Sequence, residues 1–509
     1  MQVKLGIDLG TSNVVVAYVD GERPVCYAWE DLGQDALLPS YVQLRSDRVV
    51  VGRPARRAWE HGEPACHRRF KMHLGRTDGR SPTAEVLMTH LVEAVRRRML
   101  PNDDDERVSK IKSIKSVIVT VPHGWSEAQR QATHAAAERG GLRVERLISE
   151  PVAAAAYYAH LYRLSTPETV LVCDMGGGTF DIALVRVEPT RRIYVVDNGT
   201  ATNEAAGDLA DALIGAAVLF EQSGQRVQAE VLLRDQGQKE IRMLLASVQQ
   251  ARERLNDAAT VALEAGHALD SLDSERMRWI YDGQKVAHEL DYPKMVQAME
   301  PVCTQARQLI STLLAQHSGL KLHGAVLAGG MSRMLTFQTA IAQAVGMPSA
   351  VRRFNQNPDQ AIALGAALVA AGVIVIDPRL PFDVGLVARE YATTRQVNHQ
   401  IFAAGTSIPC QQSLRGAFRT ETPQSQTLTL TIGLGNTDDA AEYKLLPITL
   451  EVGDFLREQV IVQWIFTVDD KVANQMRLTL EAQREDGQKV SKQINLPQEQ
   501  ELWPPRTRS

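Results

Sequence analysis

Two aspartates stand where phosphoryl chemistry would need them. Asp8 precedes a glycine turn in GIDLGTSNVVVAYVDG (6–21), and Asp174 precedes another in VCDMGGGTFDIALVRVE (172–188). Each segment is an apolar strand, an Asp, a glycine turn with a Thr, and a second apolar strand. Such a repeat suggests an internally duplicated fold. Glycine lets backbone N–H groups approach phosphate oxygens closely. Gly10, Thr11, Ser12 and Asn13 offer that cradle from one side; Gly176, Gly177, Gly178 and Thr179 offer it from the other. Magnesium keeps several waters and takes few direct protein ligands, so Asp8 and Asp174 are candidates to hold it through water. One GGG alone reads as a plain turn. Two matched copies point to a clamp on a polyphosphate, and the chain is expected to bind a nucleotide.

The elements that position these turns are legible. SVIVTVP (116–122) is a strand of β-branched residues. Ser126 and Gln129 have capping-box spacing, and Gly140-Gly141 gives the stop, so the segment between is a helix. Glu150-Pro151 opens another helix. AVLAGG (325–330) is a strand ending in a glycine loop, with Ser332 placed to cap the next helix. NPDQAIALGAALVAAG (357–372) opens with an Asn cap, and its small residues allow close packing. This alternation argues for an α/β core with parallel sheet. VIVID (373–377) and PRLP follow, and then the pattern switches to period two. TLTLTIGLG (427–435), EQVIVQWIFTV (458–468) and RLTLEAQ (477–483) read as antiparallel strands, with Asp486-Gly487 as a hairpin turn. VIVID reads either as an ordinary buried strand or as an apolar linker that docks in one state.

Composition narrows the class. The chain has 509 residues, 44% hydrophobic and 23% charged, which is ordinary for a globular protein. Lys plus Arg number 56 and Asp plus Glu 60, a net charge of -4 that gives no support for nucleic-acid binding. The five cysteines form no CxxC pair, which argues against a disulfide framework or zinc site and for a reducing cytoplasm. The start lacks a signal-peptide pattern, and no apolar run is long enough to span a membrane.

GIDLGTSN and CDMGGGTFD resemble the two phosphate motifs of DnaK-type chaperones, the seventy-kilodalton heat-shock family. The stretch 116–158 is similar to the family's connecting segment, VLAGGMSRM to its adenosine motif, and NPDQAIALGAAL to its second connecting segment. The similarity runs from about residue 3 to about residue 495 and is looser after 370. The resemblance implies a duplicated actin-like (ribonuclease H-like) ATPase domain at 1–372, an interdomain linker at 373–381 and an antiparallel β-sandwich at 382–497; the polar last stretch 498–509, with Pro504-Pro505, reads as a disordered tail. It implies ATP/ADP and Mg2+ as cofactors. Lys71 matches the catalytic lysine and Glu150 the residue that positions water. Thr11 and Thr179 donate to phosphates. Gly329, Gly330, Ser332 and Arg333 contact the nucleoside side, with Asp359 nearby. Pro122 and Arg130 match a pair that relays nucleotide state, and Leu428 matches the central peptide pocket; as an alternative it is simply a core residue.

The chain departs from the family in several places. Gln249, Arg252 and Asn256 stand where the adenine clamp has an acid, a base and a serine; Arg252 could still stack on adenine, and Asn256 could bond a ribose. A segment after GRTDGR is missing, which trims one lobe, and no helical lid is expected. The resemblance implies an ATP-dependent chaperone for unfolded polypeptides, with a J-domain partner and an exchange factor. The alternatives are a nucleotide-gated adaptor for one protein, an actin-like filament protein and a sugar kinase.

Overall fold

The computed structural model describes residues 2–496 except 30–32, 34, 78, 80, 100–112, 198, 204, 225, 235–237, 347–350, 354–356, 378, 381–382, 390–395, 404–405, 417–426, 436–443, 452–461, 473–474 and 485–487. The chain forms two compact units, Met1–Ile193 with Asn198–Val375, and Tyr194–Asp197 with Ile376–Ser509.

The first unit is built on two large sheets. In the first, Gln2–Leu9 pairs antiparallel with Asn13–Asp20 and parallel with Ser113–Val121, which pairs parallel with Val144–Ser149. In the second, Glu168–Met175 pairs antiparallel with Phe180–Val187 and parallel with Gly324–Ala328, which pairs parallel with Val351–Arg353. Order and direction are the same over these four strands. The central strands are buried on both faces, which is why they read as continuous Val/Ile/Leu runs. In each sheet the glycine turn lies in the antiparallel hairpin, so hairpin geometry sets where the Asp and Thr point.

Helices cover the sheets. Helix Glu127–Arg139 starts at Ser126 with both arms of the capping box formed. Helix Glu150–Tyr162 has Pro in its first turn. Helix Ala361–Ala370 is buried along its whole length. Gly365 makes its contact possible, because a Cβ there would stand 1.7 Å from the Ala153 carbonyl oxygen. Two expected caps are different. Ser332 caps nothing; its Oγ donates back to the Gly329 carbonyl inside the 3-10 turn Gly330–Arg333. Asn357 is not a helix cap either, since helix Ala361–Ala370 begins a turn later, after Gln360.

The second unit holds two four-stranded antiparallel sheets. In Thr427–Gly435 burial alternates from Leu428 to Ile432, and Leu428, Leu430, Ile432 and Leu434 are inside. They share one core with Phe466, Leu478, Leu480 and Ala482 of the other sheet. Gln475–Arg484 and Lys489–Asn495 pair antiparallel, with Gln483 opposite Lys489. The Asp486-Gly487 turn expected between them lies outside the described residues. Within VIVID, Ile374 is 1% exposed, and Val375–Ile376 is a two-residue strand. The Val375 N–H donates to the Arg191 carbonyl at 3.0 Å.

Candidate active site

The two glycine turns face each other across a cleft of about 490 Å³ in the first unit. A Cβ on Gly177 would stand 2.2 Å from Ser12 Oγ, and one on Gly178 would stand 2.7 Å from Thr11 Oγ1. A methyl at either position would push the facing side chain aside. The first turn is pinned by Ser40, whose N–H donates to the Ser12 carbonyl and whose Oγ donates to the Gly10 carbonyl. The second is pinned by helix Gly207–Ser223: the N–H groups of Gly207 and Asp208 donate to the carbonyls of Gly176 and Gly177. Asn13 and Thr179 also line the cleft.

Between the turns lies a buried charged cluster. Lys71 comes from the 3-10 turn Phe70–His73, and its Nζ donates to Glu150 Oε1 at 2.7 Å. Glu150 sits in the first turn of its helix, where the dipole favours a carboxylate. The two side chains are 3% and 5% exposed. The ammonium also stands 5.4 Å from the centre of the Trp125 ring. Burial alone would lower the Lys71 pKa, but Glu150 and Asp8 outweigh it and raise it, so the ammonium stays charged.

The carboxylates behave oppositely. Burial, reinforced by Glu150, pushes Asp8 up to about 7, although Thr120 Oγ1 donates to it at 3.0 Å. Burial and Glu150 raise Asp174 well above the usual range. Asp174 Oδ1 is buried without a hydrogen-bond partner. Asp181 is likewise pushed up to about 7 by burial and Glu150. Oxygens of Glu150, Asp174 and Asp181 lie within 4.8 Å of one another. Such a set of hard oxygen donors, with an unpartnered buried oxygen at Asp174, fits a divalent cation. Asp181 was not singled out from the sequence. Its signal was the hairpin register, which sets Asp181 directly opposite Asp174.

The nucleoside end is arranged differently from expectation. Gly329 donates to the Pro358 carbonyl, and Arg333 pairs with Asp359 at 3.2 Å. Arg252 is buried against Asp211 at 2.6 Å, with Met334 Sδ beside it. Asn256 has both polar atoms engaged. Its Nδ2 donates to the Arg333 carbonyl, and its Oδ1 accepts from the Leu335 N–H. Asn256 thus supplies the cap expected of Ser332. Gln249 lines the cleft and donates to Glu253 one turn on.

Pro122 and Arg130 meet at one loop. Arg130 Nε donates to the Trp125 carbonyl and Nη2 to the His123 carbonyl, while the Trp125 N–H donates to the Pro122 carbonyl. The loop also reaches Asp181, which accepts from the His123 N–H. In the second unit Leu428 is 6% exposed and lies opposite Leu450 in the core. The segments 417–426 and 436–443 on either side of its strand lie outside the described residues. Among the described residues no helix is long and apolar enough to cross a membrane, and no disulfide joins the cysteines.

Comparison with known proteins gives the class. The profile of the Hsp70 protein family matches residues 85–448, and the chain belongs to the Hsp70 family. The chaperone protein DnaK of Halobacterium salinarum (strain ATCC 29341 / DSM 671 / R1) is 27% identical over 466 residues, covering 89% of this chain and 67% of that protein. DnaK of Ureaplasma urealyticum serovar 10 is 26% identical over 460 residues, covering 87% and 71%. Within the family the chain is a divergent DnaK-type Hsp70.

Proposed function

We propose that this chain hydrolyses ATP in the cleft and uses the cycle to control polypeptide binding by its β unit. The observation that carries the reading is the buried Lys71–Glu150 pair set among Asp8, Asp174 and Asp181, between two glycine turns. When bound, Mg-ATP supplies the electrophilic phosphoryl group and a metal that neutralises its charge. Asp8, Asp174, Asp181 and Glu150 are the residues that would hold the metal or its waters. Thr11, Thr179 and the turn N–H groups bind phosphate oxygens. Lys71 is a fixed cation that stabilises charge as it develops. Glu150, oriented by Lys71, positions the attacking water.

In this reading the two large sheets are the halves of a duplicated actin-like ATPase domain, residues 1–372. Residues 373–381 are the linker and 382–497 the substrate-binding sandwich. ATP must favour one linker state over the other, because a ligand that binds both equally transmits nothing. Pro122 and Arg130 are the proposed relay. A J-domain protein and an exchange factor are the partners proposed from the family, with the trimmed lobe bearing on the second.

The deciding experiment is release of a fluorescent unfolded peptide on adding Mg-ATP, with ADP and Lys71→Ala as controls. Fast release with ATP alone supports the chaperone reading. The burial of Leu428 in the core favours a second reading, a nucleotide-gated adaptor for one dedicated protein. Intact ATP binding with no peptide binding in any state, and one stoichiometric partner in a pull-down, would select it.

A further inference from the structure

Two arginines and an aspartate meet across the cleft without a role in the chemistry above. Arg68 and Arg69 precede the turn that carries Lys71, and neighbouring Phe70 and Leu74 are packed in the first sheet's core. Asp208 is on helix Gly207–Ser223, on the side of the second sheet. Arg68 Nη2 donates to Asp208 Oδ1. Arg69 Nε lies 2.7 Å from Asp208 Oδ2 without the angle of a hydrogen bond, so that contact is ionic. The side chains of Arg68, Arg69 and Asp208 are 10%, 18% and 6% exposed. The Arg68 guanidinium is also held over Trp59, 4.8 Å from the ring centre.

Asp208 is fixed against the second glycine turn. Its N–H donates to the Gly177 carbonyl at 2.7 Å, and its Oδ1 lies 4.0 Å from where a Gly177 Cβ would stand. A bare carboxylate in that place repels an incoming polyphosphate. The closed cleft removes the problem, because both arginines neutralise it. A second tie holds the same closure: Arg242, on helix Lys239–Glu264, donates to the carbonyls of Gly62 and Glu63 at 3.0 and 2.8 Å.

We propose that Asp208 is an electrostatic gate that makes polyphosphate binding depend on cleft closure. In the closed cleft Arg68 and Arg69 cancel its charge. In an opened cleft it stands alone beside Gly177 and drives the nucleotide's phosphates out. Polyphosphate and closure then favour each other by the same factor. The proposal rests on the nucleotide reading of the cleft and adds its control.

The test compares ADP with adenosine, which has no phosphate, by calorimetry on the full chain. Arg68→Met with Arg69→Met leaves Asp208 uncompensated, and ADP binding should weaken about tenfold or more. Adenosine binding should change less than about twofold. Adding Asp208→Asn to the double variant should restore ADP binding to within about threefold of the original protein. Arg69→Met alone, at the more exposed arginine, gives the same ordering at smaller size if the double variant does not fold. A triple variant as weak as the double, or adenosine lost as strongly as ADP, overturns the gate. An unmodified protein that binds neither ligand overturns the nucleotide reading itself.

Discussion

At the scale of single residues, the carboxylates make the metal-free site sensitive to pH. Asp8 and Asp181 are raised from 3.8 to about 7 by burial and Glu150. Between those values the folded chain binds more protons than the unfolded one. Stability therefore falls as pH rises from about 4 to about 7. Metal-free protein should melt at a lower temperature at pH 8 than at pH 5, and Asp8→Asn should flatten that slope. An equal slope in the variant would remove Asp8 as a cause. A cation favours the ionised carboxylates, so Mg-nucleotide binding at pH 6.5 should release protons. Calorimetry in buffers of different ionisation enthalpy reads this directly, and no difference between buffers would contradict it. Lys71→Ala should slow single-turnover hydrolysis by about 100-fold or more while nucleotide still binds. Unchanged turnover would end the assignment of that lysine. Asp8 and Asp174 were legible from the repeat, because each stands just before a glycine turn; Lys71 and Glu150 were reached only through the family resemblance. Asp181 was written in the same motif, but its role needs the hairpin register.

At the scale of elements, short contacts decide what the helices can do. Asn256 joins helix Lys239–Glu264 to the start of helix Leu335–Val345 and to the Arg333 carbonyl. Asn256→Ala should cost about 1 kcal/mol in denaturant unfolding, the size of a lost cap. It should also loosen the Gly330–Arg333 turn and weaken adenosine binding. Full stability in the variant would mean that another group takes over the cap. Gly365→Ala should cost about 1–3 kcal/mol or more, because the new methyl meets the Ala153 carbonyl rather than a movable side chain. The capping box at Ser126 was readable from four residues of sequence because it is a local device. The caps assigned to Ser332 and Asn357 were not, since the Leu335 cap comes from a residue 79 positions away.

At the scale of the whole molecule, the strand Val375–Ile376 is where the proposed coupling concentrates. Ile374 is buried, and the Val375 N–H is held by the Arg191 carbonyl within the first unit. Within the second unit Asp377 pairs with Arg379 at 3.4 Å, and the Arg379 guanidinium lies 3.6 Å from the centre of the Tyr194 ring. Asp377→Asn, or Ser in place of Ile376, should leave basal hydrolysis intact and abolish its response to a β-unit ligand. Steady-state hydrolysis with and without an unfolded peptide measures both quantities. A preserved response would reduce VIVID to an ordinary structural strand.

The sequence by itself determined the two glycine turns, the aspartates before them, the α/β alternation and the switch to period-two strands near residue 377. All of these are carried by local spacing: 3.6 in helices, 2 in strands, and fixed offsets within a turn. The tertiary structure alone decided which groups pair with one another in the cleft. It brought Lys71 to Glu150 across 79 residues and Arg68 to Asp208 across 140. It also engaged both polar atoms of Asn256 and turned Leu428 into the core. Such pairings depend on which buried charges and donors must find partners once water is excluded, and that requirement arises only when distant segments pack.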